Sequence, residues 1–79
     1  MTARRDDTSA RQLRRLGKNL KLQRIEHDLA QDELARRSGT MRAQLSGIER
    51  GQINPSALTI VKIAQALGIH PGRLFDDVE

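Results

Sequence analysis

The stretch QDELARRSGTMRAQLSGIERG, residues 31–51, decides the fold. Its apolar residues Leu34, Ala35, Leu45 and Ile48 fall at helical spacing on either side of Gly39. Two helices are expected, over about residues 31–37 and 41–50, joined by only about three residues. Gly39 is placed to take a positive φ in the turn. So short a connection sets two helices at a steep angle, as in a helix-turn-helix. Counted from Gln31 as position one, Leu34 is fourth, Ala35 fifth, Gly39 ninth, Leu45 fifteenth and Ile48 eighteenth. Ala35 has to be small because the second helix crosses close to it, while Leu34, Leu45 and Ile48 pack between the two.

The second of these helices divides into faces. Met41, Leu45 and Ile48 form the expected inward side. Arg42, Ala43, Ser46, Gly47 and Arg50 fall on the other. That outer face is small and polar, with arginines near both ends, and it suits the B-DNA major groove, about 12 Å wide. Arg42 lies near the helix N-terminus, where helix-turn-helix proteins make base contacts. Ala43, Ser46 and Gly47 complete the expected base-contacting set, Ala43 against a thymine methyl. The alternative reading is an ordinary solvent face. Gly47 tells against it, because glycine inside a helix costs about 1 kcal/mol relative to alanine, and close approach of something offsets that cost.

Outward from this motif, Leu13, Leu16 and Leu20 make one apolar stripe on a helix expected over residues 10–27, opened by a capping box from Ser9 to Gln12. Residues 1–8 read as a flexible basic arm, and residues 9–79 as one helix-turn-helix domain. Asn54-Pro55 reads as a helix start, with Asn54 as N-cap and Pro55 at the first helical position. That helix is expected to stop at Gly68, and Pro71 to open a last short helix. Two charges break the pattern. Arg24 continues the stripe of Leu20, and Glu49 edges the stripe of Leu45 and Ile48. Opposite charges on inward-leaning faces predict a structural, partly buried ion pair.

Composition excludes several classes. At 79 residues without cysteine, the chain has neither a disulfide scaffold nor a thiolate metal site. Phe75 is its only aromatic residue, which argues against base-stacking sheets. No apolar run approaches the roughly 18 residues of a membrane span, and no secretory signal opens the chain. Residues 1–50 hold 12 basic and 7 acidic side chains, whereas 51–79 hold 2 and 3. That basic excess suits a polyanion, because Lys and Arg release counterions condensed on phosphates. His27 and His70 are single and suit helix termini, so neither a catalytic constellation nor a cofactor is expected. The reading is a cytoplasmic DNA-binding protein, not an enzyme, with no membrane partner.

Gln31-Asp-Glu-Leu-Ala35, Gly39, Ile48-Glu-Arg-Gly51, Asn54-Pro55 and Ile63-Ala-Gln-Ala-Leu-Gly68 resemble the phage-repressor and Cro-like helix-turn-helix family, often called Xre. The resemblance covers about residues 16–75. It implies an all-α, five-helix phage-repressor-like bundle whose third helix reads the major groove. It implies that Gln31 binds a phosphate and braces Arg42, and that Asn54 touches the phosphate backbone. Gln44 and Arg50 complete the expected phosphate contacts. Arg24 and Glu49 match a pair that is salt-bridged in close relatives. Three departures stand out. Ala30 replaces the usual serine before the Gln. Met41 replaces a common serine, so Thr40 is expected to cap. Ala43 and Gly47 replace longer side chains, which leaves direct readout mainly to Arg42 and the rest to DNA shape.

Leu58 lies outside the apolar arc of its helix. With Ile69, Leu74, Phe75 and Val78 it suggests an isologous patch and a homodimer on a palindromic operator. No effector domain is expected, so control would follow concentration, dimerisation or another protein. The family's small members are repressors, restriction–modification controllers and antitoxins. The expectation is an autoregulating transcriptional regulator of the first two kinds. The alternative is an antitoxin-type module that binds a protein partner, with DNA binding subsidiary.

Overall fold

A computed structural model describes residues 2–77, with side chains for residues 8–77. Four α-helices, α1 (Thr2–Glu26), α2 (Gln31–Ser38), α3 (Arg42–Glu49) and α4 (Ala57–Leu67), are followed by a 3-10 helix at Pro71–Phe75. The expected fifth helix is therefore a single tight turn. His70 Nδ1 accepts from Gly72 N at its start, Pro71 occupies its first turn, and so short a terminal segment readily takes the tighter 3-10 form. Among the described residues there is no strand.

The core joins all five segments. Leu16 and Leu20 from α1 meet Leu34 and Ala35 from α2 and Leu45 and Ile48 from α3. Ile60, Ile63, Ala64 and Leu67 from α4 and Leu74 from the 3-10 helix complete it. Leu74 is fully buried, which corrects its expected place in a dimer patch. The last turn is held by α1, where Asn19 Nδ2 donates to Leu74 O at 3.0 Å and to Asp76 O at 2.7 Å. Val78 of the expected patch lies outside the described residues, as do the side chains of Arg4 and Arg5.

Two helix starts differ from expectation. α1 is helical from Thr2, so Ser9 lies within it and is no cap. The preceding residues include Ala3, Arg4 and Arg5, all good helix formers. α4 begins at Ala57, and Ser56, not Asn54, is its N-cap. The Ser56 hydroxyl accepts from Thr59 N at 3.1 Å, the bond that defines a side-chain cap. Asn54 and Pro55 belong to the preceding loop.

α2 ends as its sequence requires. Gly39 has φ 71° and ψ 24°. Thr40 N donates to Ala35 O at 2.9 Å and Gly39 N to Arg36 O at 3.4 Å, the paired bonds of a Schellman motif. No atom lies within 4 Å of where a Gly39 side chain would begin. Backbone conformation, not space, therefore calls for glycine there.

Gly17 answers the opposite need. A Cβ on it would lie 2.3 Å from Ile48 O and 2.6 Å from Glu49 O. α1 thus crosses directly against the carbonyl end of α3. With its 25 residues, α1 also sets the long dimension of a body measuring 41 × 22 × 20 Å.

Candidate nucleic-acid interface

The outer face of α3 and the start of α2 form one shallow depression, lined by Gln31, Arg42, Ala43, Ser46 and Arg50. Arg42, Ala43 and Arg50 are exposed, and Gln31, Gln44 and Ser46 half-buried. Five of the eight residues expected to meet DNA on α2, α3 or the following loop thus line a common surface. Gln44 lies on the same helix beside them, and Asn54 is exposed in the loop beyond.

Gly47 does not join them. It is buried, and a Cβ there would lie 2.3 Å from Ile53 Cδ1. The close approach that the missing side chain permits is met by Ile53, folded back from the following loop, and not by a groove. This corrects its expected base contact. Helical spacing placed it outward, but the loop packs over that flank of α3.

Met41 moves the other way. It is 73% exposed, although its spacing from Leu45 and Ile48 put it inward. It is the N-cap of α3, with extended backbone at φ −91° and ψ 145°, so helical periodicity no longer applies to it. Thr40 does not cap α3, because its hydroxyl is bonded to that of Ser38 at 2.8 Å.

The charges are ordered by two pairings. Arg24 and Glu49 meet as a two-pronged ion pair, with Nε to Oε2 at 2.6 Å and Nη2 to Oε1 at 3.0 Å. Arg24 Nη1 also donates to Leu29 O at 2.8 Å. The side chains are only 12% and 4% exposed. Gln31 Nε2 donates to the same Glu49 Oε1 at 3.0 Å, so the amide at the head of α2 is anchored to the end of α3. Gln31 therefore braces against Glu49 and not Arg42. Arg42 is paired with Asp32 instead, Nε to Oδ1 at 3.2 Å, with both side chains exposed. Such a surface pair is worth about 0–1 kcal/mol, so Arg42 can exchange Asp32 for another partner at little cost.

Two further features suit an anion. Neither Ala30, which caps α2, nor Met41, which caps α3, supplies a side-chain hydrogen bond to its helix. Helix N-termini carry unsatisfied N–H groups and a partial positive charge. Beyond the depression, Arg36 and Arg37 are tied to Glu33. Their hydrogen bonds, that of Arg36 first, hold the Glu33 carboxyl below its ordinary pKa. Among the described residues no cluster of His, Asp or Glu could hold a metal ion. Nor is any helix there long and apolar enough to cross a membrane.

Sequence reasoning missed Gly17, Asn19 and Ile53. Gly17 carried a signal, a glycine inside a strong helical stripe. Asn19 and Ile53 act across the fold, and nothing local announces them.

Residues 20–74 match the helix-turn-helix family. The crystal structure of the restriction-modification controller protein C.AhdI from Aeromonas hydrophila superposes with a TM-score of 0.79 at 43% identity, covering 80% of this chain and 96% of that one. The control protein C.MunI of a Mycoplasma species is 38% identical over 66 residues, 82% of this chain and 89% of its own length. An uncharacterized helix-turn-helix-type transcriptional regulator of Sinorhizobium fredii, y4dJ, is 43% identical over 54 residues, 68% of this chain and 70% of its own.

Proposed function

The chain belongs to this helix-turn-helix, Xre-like family, and from that premise we propose that it is a sequence-specific regulator of transcription that binds a palindromic DNA operator as a homodimer. The observation that carries the reading is the depression on α2 and α3. It joins exposed Arg42 and Arg50 to the small residues Ala43 and Ser46, beside two helix starts without side-chain caps. Arg42 is the base reader, most readily of guanine O6 and N7, and Ala43 and Ser46 leave room for the groove. Gln31, Gln44, Arg50 and Asn54 hold phosphates. The role is binding and not bond-making chemistry.

Dimerisation is supported by the apolar side chains left outside the core. Leu58 is 61% exposed, with Val61 and Phe75 also exposed and Ile69 half-buried. An isologous contact would set the two recognition helices about 34 Å apart, one turn of DNA. The likeness to C.AhdI and C.MunI over most of their lengths favours a controller or small repressor acting on its own promoter, in the cytoplasm.

Fluorescence-anisotropy titration tests the reading, with the duplex upstream of the gene, a scrambled duplex and a half-site. The expected result is a preference of about 10³-fold or more for the upstream duplex, at two chains per duplex. Equal, weak binding to all three would overturn it.

A further inference from the structure

α1 carries exposed Arg11, Arg14, Arg15, Lys18 and Lys21, but their positions are not equivalent. Residues 14, 17, 21 and 24 lie three or four apart and so share one line along the helix. On that line Gly17 lies against the carbonyls of Ile48 and Glu49, and Arg24 is paired with Glu49. Arg14 runs along Gly51, its Cγ 2.8 Å from where a Cβ of Gly51 would be. The line is therefore the seam between α1 and the end of α3.

Both ends of this seam adjoin the depression. Gly51 follows Arg50 in the chain, and Glu49 holds Gln31; Arg50 and Gln31 both line the depression. Arg14 and Lys21 are the exposed charges on the seam, and neither has an acidic partner among the described residues. Among the described residues no ion pair has to be broken to use them.

We infer that Arg14 and Lys21 form a second phosphate-binding edge, on α1, that holds the DNA backbone beside the base-reading face. The inference rests on the DNA-binding reading above. Seven residues separate the two positions along about 10 Å of helix, which gives each side chain a phosphate of its own. Contacts of this kind add affinity and set register without reading sequence.

The test is the salt dependence of binding by the full chain, wild type against Arg14→Ala/Lys21→Ala, on the upstream and scrambled duplexes. Each phosphate contact contributes about 0.9 to the slope of log K against log[salt]. The double variant is expected to be shallower by about 1.8, with its preference between duplexes unchanged and its far-UV circular dichroism that of wild type. Arg15→Ala, about 100° round the helix from Arg14, is expected to leave the slope unchanged. An unaltered slope in the double variant overturns the inference. So does a fall of about 0.9 from Arg15→Ala, which would mean a diffuse charge effect. If wild type binds DNA without preference, the proposed function fails, and the same slopes on the scrambled duplex still decide the α1 edge. If wild type binds no duplex, both fail.

Discussion

Glu49→Ala is expected to destabilise the protein by about 3–5 kcal/mol, the cost of leaving one member of a buried ion pair uncompensated. The carboxylate is almost fully enclosed and holds both Arg24 and Gln31. Without it the Arg24 guanidinium keeps only Leu29 O among the partners it now has. A loss of that size approaches the whole stability of many small domains. Arg24→Ala is expected to be comparably harmful, leaving Glu49 with the Gln31 amide alone. The pair in double mutation separates mechanism from bulk loss. Arg24→Ala/Glu49→Ala should be clearly more stable than the sum of the single losses predicts. Urea denaturation of the four proteins measures this directly. Strict additivity would mean that the two charges act independently.

Gly17→Ala is the second large effect, and it tests the seat of α1. Two opposing contributions have to be weighed. Alanine gains about 1 kcal/mol over glycine in a helix interior. Overpacking a close contact costs typically about 1–3 kcal/mol, and occasionally more. Here the added methyl would lie 2.3 Å from one carbonyl oxygen and 2.6 Å from the next. Both are backbone atoms that no rotamer change can clear, so the cost lies at the upper end of its range and prevails. α1 must lift from α3, which also stretches the Arg24–Glu49 pair two turns further along. A net loss of about 2 kcal/mol corresponds to a fall of about 8–16 °C in Tm for a domain of this size. A raised Tm would show that α1 and α3 do not meet at this point.

The parts of the fold that rest on local chemistry were legible in the sequence. The turn at Gly39 follows from spacing and from one backbone conformation. So does the burial of Leu16, Leu20, Leu34, Leu45 and Ile48, because amphipathic periodicity records which face turns inward. The meeting of Arg24 and Glu49 was open to the same logic, since each is a charge out of place in an apolar stripe. What failed did so where one element covers another. Gly47 sits on the outward side of α3 by its angle, and only the loop carrying Ile53 hides it. Leu74 looked like surface in a short terminal segment, and only packing against both α1 and α4, with Asn19 bonding its carbonyl, buries it. Met41 was assigned a helical face although it stands one residue before the helix. At the start of α4 the reading settled on Asn54-Pro55, whereas Ser56, a residue type that caps as well as asparagine, is the N-cap. Five of the eight residues named from spacing and resemblance line one depression, but their partners, Asp32 for Arg42 and Glu49 for Gln31, depend on distances that no spacing rule encodes.

The central claim is that the outer face of α3 reads base sequence through Arg42. Its most direct test is the affinity of Arg42→Ala for the upstream and scrambled duplexes at one salt concentration. Loss of a guanine contact should remove about 1–3 kcal/mol of discrimination, or about 5- to 150-fold in the ratio of the two affinities. Binding to the scrambled duplex should change far less. A variant that keeps the full wild-type preference would contradict the account and move sequence readout away from this face.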